Sequence, residues 1–184
     1  TLLAVSIIFS ACEKEEETPT NNNNNSSALA IGDAHQGGIV FYLDGNGGGL
    51  IAAPTDQSSG AEWGCWETLI SGTDTIIGSG ENNTNLILNS CTTVGIAADI
   101  CANLTLGGYN DWFLPSKDEL NEMYVNIGQG NALGLGNIGS FADEYYWSST
   151  EYNINDAWGL WFRHGPELIF SKDDNLNVRA VRAF

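Results

Sequence analysis

Residues 111–120 read DWFLPSKDEL. Ser116 followed three residues later by Glu119 is the reciprocal pattern of a capping box, in which each side chain satisfies a backbone N–H that the first helical turn leaves orphaned. The pattern predicts a helix starting after Ser116 and carrying Leu120, Met123 and Tyr124. Beyond it, residues 128–140 (GQGNALGLGNIGS) are too Gly-rich to hold regular structure. Gly134, Gly136 and Gly139 have dinucleotide-fingerprint spacing, but no strand feeds them and no helix follows, so the stretch reads as a loop. Upstream, residues 82–106 read as helix in two pieces, with Ile96, Ala97, Ile100, Cys101 and Leu104 on one stripe. Two short apolar runs, 37–43 and 49–53, flank Asp44-Gly45-Asn46-Gly47, a strand–turn–strand signal. That turn lacks the acidic positions and closing Glu of an EF-hand, so it is read as a hairpin and not as a calcium loop.

The 184 residues suffice for one domain, and residues 29–184 can bury ~70% of their unfolded surface. Twenty-two Gly and six Trp point to a loop-rich fold and not to a helical bundle. A net charge of -17, with six basic residues against 23 acidic ones, repels phosphate, so nucleic acid and anionic headgroups are poor partners. Protein, carbohydrate or a cation remain open.

Residues 1–11 (TLLAVSIIFSA) are an uncharged apolar run that reads as a signal peptide truncated at its front, too short to span a bilayer. Phe9-Ser10-Ala11-Cys12 resembles the lipobox of bacterial lipoproteins, which implies acylation at Cys12. Several acyl chains anchor firmly where one does not. Residues 12–28, acidic and then Asn/Ser-rich, cannot repay the entropy of ordering and read as a tether. Its acidic start resembles the surface-export signal of lipoproteins in outer membranes of the Bacteroidetes type; a solvated spacer is the plainer reading. The expected location is the outer membrane, lipid-anchored and facing outward.

Cys65, Cys91 and Cys101 remain once Cys12 is set aside. In an oxidising compartment one disulfide is expected. A helix after Cys91 would hold Cys91 and Cys101 more than ~7 Å apart, leaving Cys65 to pair with one of them, Cys91 being preferred. Two His and irregular Cys spacing fit no zinc pattern, and no cofactor or metal is expected. No G-x-S-x-G elbow, H-E-x-x-H or phosphate loop occurs, and no catalytic residue is assigned.

Asp111–Ser116, Glu119-Leu120, Tyr146–Glu151, Ala157-Trp158 and Val178–Arg182, in that order, resemble the bacterial domain of unknown function at the C-terminus of a collagen-like adhesin. Trp63-Gly64-Cys65 and Ile96–Ala98 belong to the same likeness, which runs from about Gly32 to Phe184. It implies an α+β, C-type-lectin-like fold, with two helices around a twisted antiparallel sheet. That fold is shared with formylglycine-generating enzymes and with receptor-binding proteins. The lectin calcium motifs Glu-Pro-Asn and Gln-Pro-Asp are absent, so calcium-dependent sugar binding does not carry over.

Residues 153–177 follow no strand alternation. In proteins diversified by retroelements, a lectin-like domain ends in a variable region whose template adenines, often in Asn codons, are replaced at random. Altered Asn codons cannot yield Trp, Glu, Lys, Gln or Met. Ile154, Asp156, Gly159, Leu160, Arg163, His164, Pro166, Leu168, Ile169, Phe170, Ser171, Asp173, Asp174 and Leu176 all belong to the reachable set. Trp158, Trp161, Glu167 and Lys172 do not, and fall where a scaffold would lie. The resemblance thus implies a ligand-binding face of Ile154, Asp156, Gly159, Leu160, Arg163, His164, Pro166, Leu168, Ile169, Phe170, Asp173, Asp174 and Leu176, directed at an external protein or carbohydrate. Trp147, Trp158, Val178, Val181 and Phe184 are expected in the core, and Arg179 and Arg182 paired with carboxylates. The alternatives are a plain lectin-like domain with uneven terminal loops, an enzyme of the formylglycine-generating type, or a passive envelope component.

Overall fold

A computed structural model describes residues 28–184. The signal-peptide reading of residues 1–11, lipidation at Cys12 and all but the last residue of the tether over 12–28 lie outside the described residues.

The first strands among the described residues are β1 (Ala34–His35), β2 (Gly38–Leu43) and β3 (Gly49–Ala52). The turn between β2 and β3 is built by Asp44, whose Oδ1 accepts the N–H groups of Asn46 (2.7 Å) and Gly48 (3.0 Å). After β4 (Ser58–Ala61) come α1 (Gly80–Ser90), α2 (Ala97–Ala102) and α3 (Lys117–Ile127). The chain closes with β5 (Tyr145–Glu151), β6 (Asp156–Trp161), β7 (Glu167–Ser171), β8 (Leu176–Val178) and β9 (Val181–Ala183). The class is α+β. The strands form two sheets, β1-β2-β3-β9 and β4-β8-β5-β6-β7, and β5 meets β8 in parallel at Tyr146 and Asn177. The expected α+β arrangement of helices and twisted antiparallel sheet is thus realised with three helices and two sheets, the chain passing from one sheet to the other at a shared seam. There Ala53 N–H donates to Ala180 O and Gln57 N–H to Val178 O, both 2.9 Å, so pairing continues while the strands change sheets.

Two buried clusters fill the interior. One gathers Trp63, Trp112 and Trp147 with Ile87, Ile96 and Cys101; the other gathers Phe41, Leu120, Met123, Phe141, Tyr146 and Phe162. Trp147, Val178 and Val181 are fully buried, whereas Trp158 and Phe184, expected in the core, are half-buried. Cys65 and Cys91 form a disulfide, with Cα atoms 5.5 Å apart. Cys101 is a buried free thiol, and burial pushes its pKa up, away from thiolate chemistry.

The capping box at α3 is complete and reaches further than its own helix. Ser116 Oγ accepts the Glu119 N–H (3.3 Å), and Glu119 Oε2 accepts the Ser116 N–H (2.8 Å). Glu119 Oε1 also accepts the N–H groups of Gly78 (2.8 Å) and Gly80 (3.4 Å), so one fully buried carboxylate starts α3 and ties it to the start of α1. Gly80 permits this approach, since a Cβ there would lie 2.2 Å from Glu119 Oε2.

Lys172 is the other deep polar tie. Its side chain is fully buried, yet Nζ pairs with Glu151 and donates to Thr68 O (2.8 Å) and Ile154 O (3.0 Å), 4.9 Å above the Trp63 ring. One ammonium therefore spends its three donors joining the loop before α1, the end of β5 and the turn before β6.

Removing one partner of a buried pair leaves the other charge uncompensated, so Lys172→Met should lower the unfolding free energy by about 3–5 kcal/mol in chemical denaturation. Glu119→Gln should cost about 1–3 kcal/mol, because an NH₂ group would face backbone donors. Burial raises the Glu119 pKa despite its backbone N–H donors. The folded state therefore binds the proton more tightly, and the residue's contribution falls as pH rises from the ordinary carboxylate value through the raised one. The stability gap between wild type and Glu119→Gln should accordingly be larger near pH 3.5 than near pH 7.

Candidate functional site

β6 and β7 form a regular antiparallel hairpin pairing Asp156 with Ser171 through Leu160 with Glu167, although burial does not alternate along β7. Directly paired residues share a face. Gly159, Leu168, Ala157 and Phe170 therefore lie on one side of the hairpin, and Asp156, Trp158, Ile169 and Leu160 on the other.

The expected binding residues divide by burial. Ile154, Arg163, His164, Pro166, Leu168, Ile169, Asp173 and Asp174 are exposed, and Asp156 and Phe170 half-buried. Gly159, Leu160 and Leu176 are buried, so they are withdrawn from the face. Leu160 belongs to the cluster around Phe162, and Leu176 to the one around Trp147. At Gly159 a Cβ would sit 2.8 Å from Tyr146 O and 3.1 Å from Leu176 and Phe170, so a larger residue has no room. The remaining residues cluster at the two ends of the hairpin and along β7, so they do not form one flat face.

β7 is the outer strand of its sheet. Trp161 N–H donates to Pro166 O (3.1 Å) and Lys172 N–H to Asn155 O (2.8 Å). By ladder alternation the backbone groups of Glu167 and Ile169 then point away from β6, toward the open edge. The edge closes at Ser171, whose N–H donates to Asp174 Oδ2 (3.0 Å). Leu168 is 36% and Ile169 41% exposed, an apolar edge of the kind that proteins usually blunt or cover.

Phe170 is anchored inward, with ring centroids 5.9 Å from Trp147 and 5.1 Å from Tyr145. Tyr145 lies 5.4 Å from Trp161, which meets His164 at 4.7 Å. A continuous aromatic strip thus runs from the buried Trp147 to the exposed turn at His164. On the opposite side, Tyr152 meets Trp158 at 5.3 Å, Lys117 lies over that ring at 4.9 Å, and Lys117 pairs with Glu167.

Tyr145, Tyr152 and Lys117 line these surfaces but were outside the expected set. Another such group is the loop carrying Trp66 and Leu69, 50% and 58% exposed. Lys172 brings it beside Ile154, because one ammonium holds carbonyls from both segments. The only sequence signal was their aromatic or apolar character, since the joining contact spans 104 residues.

Beside the strip, a cleft of about 430 Å³ opens between β4, β8 and the start of β5. Its floor is Asp56, which accepts from Arg179 Nε (2.7 Å), Tyr146 Oη (2.9 Å) and Asn177 Nδ2 (3.4 Å). Burial, chiefly, pushes the Tyr146 pKa up to about 12, so the phenol remains a donor to Asp56. Arg179 pairs with Asp56 and Arg182 with Asp111, the carboxylate partners expected for both. Among the described residues no group of three or more His, Cys, Asp or Glu side chains is placed to hold a metal ion.

No curated protein matches the chain. The model of the Lcl C-terminal domain family matches residues 54–182, from the approach to β4 into β9, and so takes in the hairpin, the cleft and the capped helix. The match agrees with the resemblance carried by Asp111–Ser116 and Val178–Arg182, and the chain belongs to the Lcl C-terminal domain family.

Proposed function

We propose that this chain is a lipid-anchored surface protein whose Lcl domain captures an external partner, a protein or a glycan, through the open edge and turns of the β6–β7 hairpin. One observation carries the reading: within residues 153–177, side chains that altered Asn codons cannot produce are tied down, and many of those they can produce are free. Lys172 is buried in its ion pair, Glu167 is paired with Lys117, Trp158 lies under Lys117, and Trp161 donates to Asp143 O (3.3 Å) while packing on Tyr145. Arg163, Pro166, Leu168 and Ile169 are exposed, and among the described residues Arg163 has no ion-pair partner.

The face works as a paratope does: a rigid frame limits the entropy lost on binding, apolar side chains supply area, and polar ones supply direction. Diversification would then act on the turns and on the adjacent Leu168 and Ile169 of β7, while Gly159, Leu160 and Leu176 stay fixed by packing. The anchor at Cys12 and the acidic tether complete the proposal by holding the domain off the outer membrane. Binding is favoured over catalysis of the formylglycine-generating type, which needs a reactive cysteine pair, because Cys65 and Cys91 are joined and Cys101 is sealed in the core.

Capture of bound partner from cell-surface extracts should fall at least about tenfold on combined Leu168→Ala and Ile169→Ala substitution, with the thermal midpoint little changed. Phe170→Ala should instead lower stability by about 2–4 kcal/mol, since its ring packs on Trp147. Equal capture by the double variant would remove β7 from the site. At the genetic level, the diversification claim requires a near-copy of the DNA encoding residues 150–184, differing almost only at adenines, beside a reverse transcriptase gene. Neighbouring DNA without such a copy would reduce the claim to a fixed binding domain.

A further inference from the structure

We infer that the cleft between β4, β8 and β5 is a socket for a cationic side chain, arginine or lysine, presented by a protein partner. The inference deepens the proposed capture role and depends on it for the partner's existence, but not for the chemistry of the socket.

This acidic chain houses its own cations in a consistent way. Four described basic residues form ion pairs, and each lies over an aromatic ring as well. Lys117 pairs with Glu167 over Trp158, Lys172 with Glu151 over Trp63, Arg179 with Asp56 over Phe141, and Arg182 with Asp111 over Tyr109. The combination is favourable because the carboxylate supplies charge while the ring face attracts the cation and replaces its lost hydration.

Glu144 and Tyr145 put a carboxylate and an aromatic ring on the lining of the cleft, and none of its lining residues is basic. The Glu144 backbone is fixed, its carbonyl accepting the Phe162 N–H (3.0 Å), while its side chain is exposed. Among the described residues that carboxylate has neither an ion pair nor a hydrogen bond. The Tyr145 ring packs against Trp161 and Phe170, so it does not need ordering on binding.

The rest of the cleft is already satisfied and rigid. Asp56 uses both oxygens, and Arg179, 1% exposed, also donates to Ala53 O (2.9 Å) and Gly139 O (2.7 Å). The floor is therefore locally neutral, leaving the Glu144 charge at the rim uncompensated. Ser59 and Asn175 are exposed at the rim and suit the backbone of an incoming segment. A volume of about 430 Å³ admits an arginine side chain together with its adjoining peptide units. The net charge of -17 draws cations toward the surface and repels anionic ligands.

Because Tyr145 belongs both to the socket and to the aromatic strip, one partner segment can seat a basic residue in the cleft and rest apolar residues on Trp161 and Leu168. The occupant is thus a basic–apolar protein segment.

The test is a titration of the folded chain with N-acetyl-arginine amide, its citrulline counterpart and methyl glucoside, read by amide NMR shifts at Ser59, Ala142, Tyr145 and Asn175. The arginine compound should give saturable shifts with a Kd of roughly millimolar, as expected for a single small group. Citrulline, equal in shape but uncharged, should bind at least about tenfold more weakly. Glu144→Gln, a change at an exposed position, should abolish the arginine shifts and leave the rest of the spectrum unchanged. Equal shifts from citrulline, no saturable response to arginine, persistence in Glu144→Gln, or saturable shifts from methyl glucoside alone would each overturn the socket. Local shifts at these amides are independent of capture by the β7 edge, so failure of the socket and failure of the capture role are separable.

Discussion

Positive charge is the scarce material of this protein, and its placement decides the shape of the domain. Six basic residues face 23 acidic ones, and four of the six are sunk against one carboxylate and one ring. Lys172 and Arg179 are the deepest. Lys172 secures the irregular loops at one end of the second sheet, and Arg179, through Asp56, Ala53 O and Gly139 O, secures the seam where the chain passes between sheets. Each ion is desolvated at considerable cost, so the arrangement holds only because all its donors are met. The consequence is a frame in which long loops, usually the least ordered part of a fold, are held by polar ties from the core.

Local devices could be read from the chain because their partners are a few residues away. The capping box at Ser116 and Glu119, the Asp44 turn and the two helical pieces before α3 need only short-range spacing. Even there the reading was incomplete: Glu119 also serves Gly78 and Gly80, an interaction across about forty residues that no spacing rule announces. β4 was invisible for a related reason. Ser58–Ala61 looks like polar loop, and it becomes a strand only because β8, far along the chain, supplies its partner.

The binding face was legible in part. Turn residues such as Arg163, His164, Asp173 and Asp174 are outside because tight turns leave side chains no interior to enter. Gly159, Leu160 and Leu176 failed because residue type alone cannot say which side of a short strand faces the core. A single extra residue in the preceding turn would have reversed the outcome. Lys172 points the same way in reverse: lysine is almost never buried unless paired, and its pairing with Glu151 and Thr68 depends on segments brought together only by folding.

These limits bear on how such a surface can vary while the fold persists. A side chain is free to change when its removal leaves no buried partner unsatisfied and its enlargement meets no packed atom. Arg163, Pro166, Leu168 and Ile169 meet both conditions, because their side chains face solvent and the β7 ladder is carried by the backbone. Gly159 fails the second condition, and Lys172 would fail the first. The separation of tolerant from intolerant positions therefore follows from edge exposure, close packing at Gly159 and the buried ammonium. Any partner must be recognised along the edge and at its two ends, with the aromatic strip as the fixed ground between them.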